Sequence, residues 1–177
     1  GYPFPPHDLV IAAYALGELV AEQREEVLAR AWEAAAKAIV IIEPGTPRGF
    51  GLLRQVRDSL LDRSGKLIAP CPHQAVCPMA ESDWCHFAAR VERTSLHRKL
   101  KTGTLGFEDE KYSYLAVAKE ETDSANARIL RRPKIQAGFV NLRLCTALGI
   151  TDLTVTRGEK EQFKRARKAD WGDAWES

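Results

Sequence analysis

The sequence predicts an α/β fold in two parts, a helix-covered sheet over residues 1–119 and a smaller, basic, β-rich module over residues 120–177. Strand-like apolar runs alternate with amphipathic helix patterns in the first part. This alternation is typical of a parallel, doubly wound sheet with helices on both faces. In the last third, short apolar runs are separated by Pro133, Gly138 and Gly149, which favours a small antiparallel sheet.

The helix-covered sheet is predicted to begin with three strands and two intervening helices. The strands are predicted at residues 9–13, 38–42 and 66–69. The first two are apolar at every position, which is typical of strands that are buried on both faces. Residues 22–37 carry one apolar stripe at helical spacing and are predicted to form the first helix. The second helix has Thr46 as a good N-cap and Pro47 as a good first residue, and it ends at Gly65.

The remaining elements are predicted from shorter patterns. Residues 87–100 are predicted to be helical with several basic side chains, and residues 102–106 to be a loop. Residues 112–118 read as a strand rich in aromatic and apolar residues. Three short strands are then predicted, at residues 128–130, 139–145 and 153–156. A basic helix over residues 159–170 completes the pattern.

The four cysteines form a group of three neighbours and one distant residue, Cys71, Cys77, Cys85 and Cys145. Prolines directly follow the first two. The distant cysteine lies in a predicted strand whose Val140, Leu142 and Leu144 share one face, so its own side chain belongs to the opposite face. It is therefore free to meet the other three cysteines. Clustered thiols in a reducing compartment are typical of a thiolate-bound metal.

The cysteine spacing leaves the identity of the metal open. A structural zinc site usually offers two Cys-x-x-Cys knuckles, and the sequence has none. Wider, irregular spacing with Cys-Pro steps favours an iron–sulfur cluster, while zinc and the absence of any metal remain alternatives. His73 and His86 are further candidate ligands, but we prefer to interpret both as ordinary polar neighbours or as hydrogen-bond partners of the ligands.

Positive charge is concentrated near the C-terminal end. Residues 128–168 contain eleven Lys and Arg against three Asp and Glu, a net charge of +8, which leaves −6 for the rest of a chain whose total is +2. This asymmetry predicts a polyanionic partner, with nucleic acid first. The candidate phosphate contacts are Arg128, Arg131, Arg132, Lys134, Arg143, Lys164, Arg165, Arg167 and Lys168. The alternative is a solvated basic helix without a partner, and Trp171 and Trp175 either stack on bases or, as we prefer, dock onto the core.

Five motifs together identify a family. They are E-P-G-T-P-x-G-F at 43–50, P-C-P-H-x-x-x-C-P at 70–78, W-C-H-F at 84–87, E-D-E-K-Y-S-Y at 108–114 and K-R-A-R-K-A-x-W-G-D at 164–173. With these motifs the chain resembles the methyltransferase-like proteins of mitochondrial small-ribosomal-subunit assembly and their bacterial relatives. The resemblance implies a class I S-adenosylmethionine methyltransferase fold and a role on the small ribosomal subunit or its rRNA. It also implies a [4Fe-4S] cluster whose ligands would be Cys71, Cys77, Cys85 and Cys145.

The sequence lacks the cofactor-binding motif of such a methyltransferase. No G-x-G-x-G follows any predicted strand, and no catalytic base or nucleophile is recognised. We therefore expect the chain to be the C-terminal half of the methyltransferase sheet, with a cysteine-rich insertion at residues 69–111, and to need a missing N-terminal half. Tyr14 and Glu18 follow the first strand, at the sheet edge where such folds bind ligands, and are candidate contacts of the cofactor or substrate.

Three hypotheses for function follow. The parent protein is an S-adenosylmethionine-dependent rRNA methyltransferase, a non-catalytic rRNA-binding assembly factor that keeps the fold as a scaffold, or a zinc-clasped RNA-binding domain. No apolar run approaches the roughly 18 residues needed to span a bilayer, and the N-terminus has no signal-peptide pattern. We therefore expect no membrane association and an intracellular location, either the bacterial cytoplasm or, as the alternative, the mitochondrial matrix.

Overall fold

The computed structural model describes residues 4–92 and 106–176, which form two five-stranded sheets. The first sheet and its helices comprise β1 (His7–Ala13), α1 (Ala21–Ala34), β2 (Ala35–Pro44), α2 (Pro47–Asp62), β3 (Lys66–Ala69), β4 (Phe87–Glu92) and β5 (Phe107–Ala118). The second comprises β6 (Ala127–Ile129), β7 (Lys134–Ile135), β8 (Phe139–Thr146), β9 (Gly149–Thr156), α3 (Lys160–Ala166) and β10 (Ala174–Trp175). The boundary expected at residue 119 lies in the segment between β5 and β6.

The first sheet is mixed rather than fully parallel. Its strand order is β1-β2-β5-β3, with β4 also paired to β5. The strands β1 and β2 are parallel, whereas β5 is antiparallel to β2, β3 and β4. The three strands predicted to be parallel, β1, β2 and β3, run in one direction, whereas the direction of β5 was not predicted. An antiparallel pair needs no crossover helix, and the alternation of strands and helices that predicted parallel pairing ends at β3. The arrangement is consistent with part of a Rossmann-like fold.

The predicted helix at 87–100 is wrong at its start. Residues 87–92 form β4, in which Phe87 pairs with Tyr112 and is buried, and Arg90 lies opposite Asp109 with a 2.9 Å ion pair. Pairing with β5 thus overrides the local pattern, as is common for short segments. The rest of that predicted helix, from residue 93, and the predicted loop up to residue 105 lie outside the described residues. Part of the expected insertion at 69–111 is built into the first sheet as β4 and the start of β5.

The strand β1 is more exposed than its apolar sequence predicts. It is an edge strand, and the side chains of Leu9 and Ile11 are 49% and 60% exposed. The prediction of burial on both faces is therefore wrong. Within the described residues, β1 pairs with β2 along one edge, and no element covers the face that carries Leu9 and Ile11. The helix α1 also ends at Ala34, so that β2 begins three residues before the predicted start at 38.

Other local predictions are confirmed. The helix α2 begins as expected, with the Thr46 hydroxyl accepting a 3.1 Å hydrogen bond from the backbone N–H of Gly49. The helices α1 and α2 pack on the first sheet around a core that includes Leu28, Trp32, Ile39, Ile41, Val56, Leu60 and Val117. None of the described helices is long and apolar enough to cross a bilayer.

The second sheet confirms the small antiparallel module. Its order is β10-β6-β8-β7, and β9 pairs with β8. The apolar face of β8 packs against Phe163 and Ala166 of α3 and against Trp175 of β10. The two-residue strands β7 and β10 have no recognisable sequence pattern, and α3 is shorter than the predicted helix at 159–170. This packing leaves the opposite face of β8 directed away from the core of the module.

Candidate metal centre and strand-end pocket

The segment between β3 and β4, residues 70–86, is irregular and is held by hydrogen bonds to the first sheet. The side-chain amide of Gln74 accepts from the backbone N–H of Leu67 at 2.9 Å and donates to its carbonyl at 3.1 Å. The indole N–H of Trp84 donates to the carbonyl of Gly45 at 3.0 Å, and the Ser113 hydroxyl donates to the carbonyl of Cys85 at 2.7 Å. These contacts fix the segment at both of its ends.

All four cysteines line one cavity, which we call the cysteine cavity. Its volume is about 40 Å³, and Phe50, Leu53, Met79, Leu115, Leu130 and Ile150 are among its apolar walls. Cys145 reaches it from β8 and packs with Met79 and Leu130, against Cys77 and Cys85. The sequence argument that Cys145 leaves the apolar face of its module and meets the other cysteines is confirmed. Thiols from the segment between β3 and β4 and from β8 of the second sheet therefore line one cavity.

Burial determines the protonation of these thiols. It raises the pKa of Cys71, of Cys85 and of Cys145, the last to about 12, and the neighbouring cysteines raise all three further. Cys71, Cys85 and Cys145 are therefore protonated at neutral pH, and a metal that binds them must displace their protons. Within residues 4–92 and 106–176, no three His, Cys, Asp or Glu side chains lie close enough together to hold one metal ion.

The two histidines of the segment lie beside the cavity. His73 Nε2 lies 3.6 Å from Cys145 Sγ, and burial lowers the pKa of His73. His86 is buried, stacks on Trp84 at 5.0 Å and contacts the edge of Trp171 at 4.9 Å between ring centroids. Its Nδ1 lies 3.1 Å from the carbonyl oxygen of Trp84, and burial lowers its pKa. Both positions fit our interpretation of these residues as polar neighbours of the cysteines.

Two arginines predicted as phosphate contacts instead join the cysteine segment to the second sheet. Arg128 donates from Nε to the Pro70 carbonyl and from Nη1 to the Gly172 carbonyl, both at 3.0 Å. Arg131 pairs with the carboxylate of Asp83 and donates to the carbonyl of Trp84 at 3.3 Å. These linking roles carry no sequence signal, because an arginine in a basic stretch looks the same whether it binds phosphate or a buried carbonyl. Their contact with RNA stays a prediction.

The other basic candidates differ in their surroundings. Arg143 is exposed but pairs with Asp152 at 2.7 Å across β8 and β9. The remaining candidates are all exposed on the surface of the module: Arg132, Lys134, Lys164, Arg165, Arg167 and Lys168. Trp175 is buried in the module core, and Trp171 packs on His86 and Phe87, so the predicted docking of both tryptophans onto the core is confirmed.

Tyr14 and Glu18 line a second cavity, which we call the strand-end pocket. It lies where β1 and β2 end, has a volume of about 500 Å³ and is also lined by Arg24, Glu43 and Arg48. The backbone N–H of Tyr14 donates to the carbonyl of Ile42 at 2.8 Å, and Tyr14 adopts a φ of 54°, which is unusual for a residue other than glycine. The structure thus brings both sequence-predicted residues to the carboxyl ends of parallel strands.

Glu43 organises this pocket and was missed by the sequence reasoning. It is only 2% exposed, and its carboxylate accepts hydrogen bonds from the backbone N–H groups of Leu16 and Gly17 at 3.1 and 3.3 Å. A Cβ at Gly17 would lie 2.8 Å from Glu43 Oε2, so a side chain at this position would displace the carboxylate. Burial raises the pKa of Glu43, although the two backbone donors oppose the shift. Its position in the E-P-G-T-P motif, directly after a buried strand, was the available signal.

Comparison with known proteins gives a consistent assignment. The family described as mitochondrial small ribosomal subunit Rsm22 matches residues 2–176. The chain is 29% identical to the human ribosome assembly protein METTL17, mitochondrial, over 94% of this chain and 39% of that protein. It is 25% identical to the Rsm22-cox11 tandem proteins 1 and 2, mitochondrial, of Schizosaccharomyces pombe, over 94% of this chain and 29% of each. The chain spans less than half of these relatives, and it belongs to the Rsm22 family.

Proposed function

We propose that this chain is the C-terminal part of a methyltransferase-like assembly factor of the small ribosomal subunit, and that it binds the rRNA of that particle. The observation that carries the proposal is the meeting of the four cysteines between the two sheets in a chain of this family. The name of the human relative, a ribosome assembly protein, and the family description, which names the small subunit, support the role.

In this proposal Cys71, Cys77, Cys85 and Cys145 hold a [4Fe-4S] cluster. The donor set fits such a group, since it consists of four thiols, two of them followed by proline, that line one cavity. When bound, the cluster supplies metal–thiolate bonds that join the irregular segment to β8. Arg128 and Arg131 add a second connection, because they join the same segment to β6 and its flanking loop. Zinc in the same place is the alternative.

Metal analysis tests this part of the proposal. Protein prepared without oxygen is expected to contain iron and acid-labile sulfide in equal amounts and to be brown, because four thiolates and a cubane cluster are the proposed partners. Stoichiometric zinc without sulfide would support the zinc-clasped domain. Neither metal at more than trace level would contradict both forms of the site.

The exposed lysines and arginines of the second sheet are the proposed RNA contacts. Lys134, Lys164 and Lys168 are exposed, and each is expected to gain affinity by releasing counterions from phosphates. Their joint replacement by alanine is expected to weaken binding to small-subunit rRNA by about tenfold or more and to flatten its salt dependence. Lys37, Lys66 and Lys111, exposed or half-buried lysines of the first sheet, provide a control with the same loss of charge. Equal weakening by both triple variants would contradict a binding surface on the second sheet.

We propose that the methyltransferase site, if the parent protein is active, requires a half of the sheet that lies outside this chain. The uncovered apolar side chains of Leu9 and Ile11 on the edge strand β1 support pairing with further strands there. Tyr14 and Glu18 would then contact the cofactor or substrate from the strand-end pocket. The non-catalytic scaffold remains the alternative. Methyl transfer to small-subunit rRNA by the full-length protein, lost on substitution of Tyr14, would support the enzyme over the scaffold.

The compartment is part of the same proposal. The three relatives carry the word mitochondrial in their names, which supports the mitochondrial matrix. The bacterial cytoplasm, the first expectation from the sequence, stays a prediction. Localisation of the tagged full-length protein in its own organism would decide between the two.

A further inference from the structure

Arg57 is a buried cation on α2 with an incomplete set of partners. The residue is only 4% exposed. Its Nη1 pairs with Asp58 at 3.0 Å, and its Nη2 donates to the carbonyls of Gln74, at 3.3 Å, and of Ala75. The Nε atom is buried and has no hydrogen-bond partner among the described residues. A buried donor without an acceptor is costly, so this atom needs explanation.

Asp58, the carboxylate paired with Arg57 among the described residues, is poorly placed to neutralise it. The side chain of Asp58 is 71% exposed, and an ion pair with a solvated partner contributes little to stability because water screens it. Burial of a guanidinium at 4% exposure normally requires an anion in the same interior space. Arg57 also has groups of the cysteine cavity as neighbours.

Arg57 is a wall of that cavity. Cys71, from the segment after β3, and Cys145, from β8, line the same cavity as Arg57. His73 Nε2 lies 3.6 Å from Cys145 Sγ at its side. The guanidinium therefore faces cysteines contributed by both halves of the site.

We propose that Arg57 is the internal counter-charge of the thiolate-bound cluster, and that its free Nε–H is a hydrogen-bond donor for a sulfur of that centre. This inference rests on the proposed function, because it assumes the cluster. An iron–sulfur core bound by four thiolates carries net negative charge, and its reduction potential depends on nearby charge and on hydrogen bonds to sulfur. Arg57 thus stabilises the reduced, more negative cluster, and so raises the reduction potential.

A purely structural role for Arg57 makes a different prediction. Its contacts with the carbonyls of Gln74 and Ala75 hold the cysteine segment on α2, and any substitution that loosens that loop would lower stability. The side chain of Gln74 holds the same loop from the other side, through its two hydrogen bonds to Leu67. Gln74→Ala is therefore a matched control, since it loosens the loop and removes no charge.

The test uses the full-length protein, prepared without oxygen, as wild type, Arg57→Gln, Arg57→Lys and Gln74→Ala. Iron and sulfide per chain are measured first, and the midpoint potential of the cluster is then measured by a redox titration followed by electron paramagnetic resonance. Arg57→Gln is expected to lower the midpoint potential, Arg57→Lys to lower it less, and Gln74→Ala to leave it unchanged while lowering the melting temperature.

Each outcome bears on a separate claim. Wild-type protein without iron and sulfide overturns the proposed cluster and this inference with it. A loaded cluster whose potential is the same in wild type and Arg57→Gln, or shifts equally in Gln74→Ala, overturns the counter-charge alone. Where Arg57→Gln does not retain a cluster, Arg57→Lys decides: restored loading supports the counter-charge, because lysine keeps the charge without the paired carbonyl contacts, and unrestored loading overturns it.

Discussion

The cysteine cavity and the strand-end pocket differ in their volume and in the chemistry of their walls. The cysteine cavity is small, about 40 Å³, has apolar walls, and draws its thiols from both sheets. The strand-end pocket is about 500 Å³, is lined by charged groups such as Glu18, Arg24 and Arg48, and adjoins the edge strand β1. The chain thus supplies all four proposed cluster ligands from its own residues, whereas in our proposal the cofactor site is completed by a further half of the sheet.

Removal of the distant cysteine is expected to have the largest effect. Cys145→Ser deletes the ligand that β8 contributes, so iron retention should fall more than about 100-fold, beyond the loss typical of outer hydrogen-bond partners of a metal site. Iron and sulfide are quantified after anaerobic purification. Leu148→Ser is the control, because Leu148 is fully exposed at the tip of the same β8–β9 hairpin. Full iron content in Cys145→Ser would contradict the assignment of Cys145 as a ligand in the cysteine cavity.

The second cavity gives the next prediction. The isolated chain is expected to bind S-adenosylmethionine weakly or not at all, because it lacks the glycine-rich turn with which class I methyltransferases grip the cofactor. Titration calorimetry on this chain should therefore detect no micromolar binding, while the same preparation retains its iron. Micromolar affinity in the isolated chain would contradict the half-sheet interpretation. It would show that the chain supplies the residues of the cofactor site by itself, as it does those of the proposed cluster site.

A smaller effect is expected at Glu43. Glu43→Ala leaves the backbone N–H groups of Leu16 and Gly17 without their acceptor, so the free energy of unfolding should fall by about 1–3 kcal/mol. Denaturant unfolding measures the change. Glu43→Gln is the control, since it keeps one carbonyl oxygen as an acceptor and should be closer to wild type. Equal stability of wild type and Glu43→Ala would show that the loop at the pocket is held by other contacts.

Glu43 also predicts a dependence of stability on pH. Burial raises its pKa above the ordinary 4.5, so the folded state binds a proton more tightly than the unfolded state. The resulting stabilisation is fully present below 4.5 and is lost as the pH rises through the pKa of the folded state. Melting temperatures of wild type and Glu43→Gln across this range should differ in slope, with wild type losing more stability on the way up. Parallel curves would contradict a raised pKa.

The smallest effect is expected far from both cavities. Arg143 and Asp152 form an exposed pair across β8 and β9, and such pairs contribute at most about 1 kcal/mol. Arg143→Ala should therefore change the free energy of unfolding by less than about 1 kcal/mol and leave iron content unchanged. Denaturant unfolding and metal analysis of the same sample provide the measurement. A loss of iron in this variant would show that iron binding in the cysteine cavity depends on contacts elsewhere in the second sheet.

Local patterns predicted many elements and one feature of the site. The N-cap of α2 was recognised because the Thr46-Pro47 pair has its own backbone preference. Alternation along β8 predicted the exit of Cys145 from the module core, since side chains of a strand change face at every residue. The same kind of reasoning failed for β4, because its basic residues are compatible with a helix and only the pairing of Arg90 with Asp109 on β5 distinguishes the two.

The types of chemistry present can be recognised in the amino-acid sequence: four thiols in a three-plus-one arrangement, a basic segment on an acidic body, and two kinds of secondary-structure pattern. Which of those groups meet is visible in the folded chain alone. It directs Arg128 and Arg131 to the cysteine segment, Arg57 to the cysteine cavity and Glu43 to the backbone of the strand-end pocket. The physical reason is that a charged side chain has no local periodicity of its own, and its partner is set by long-range packing of elements that the local pattern does not encode.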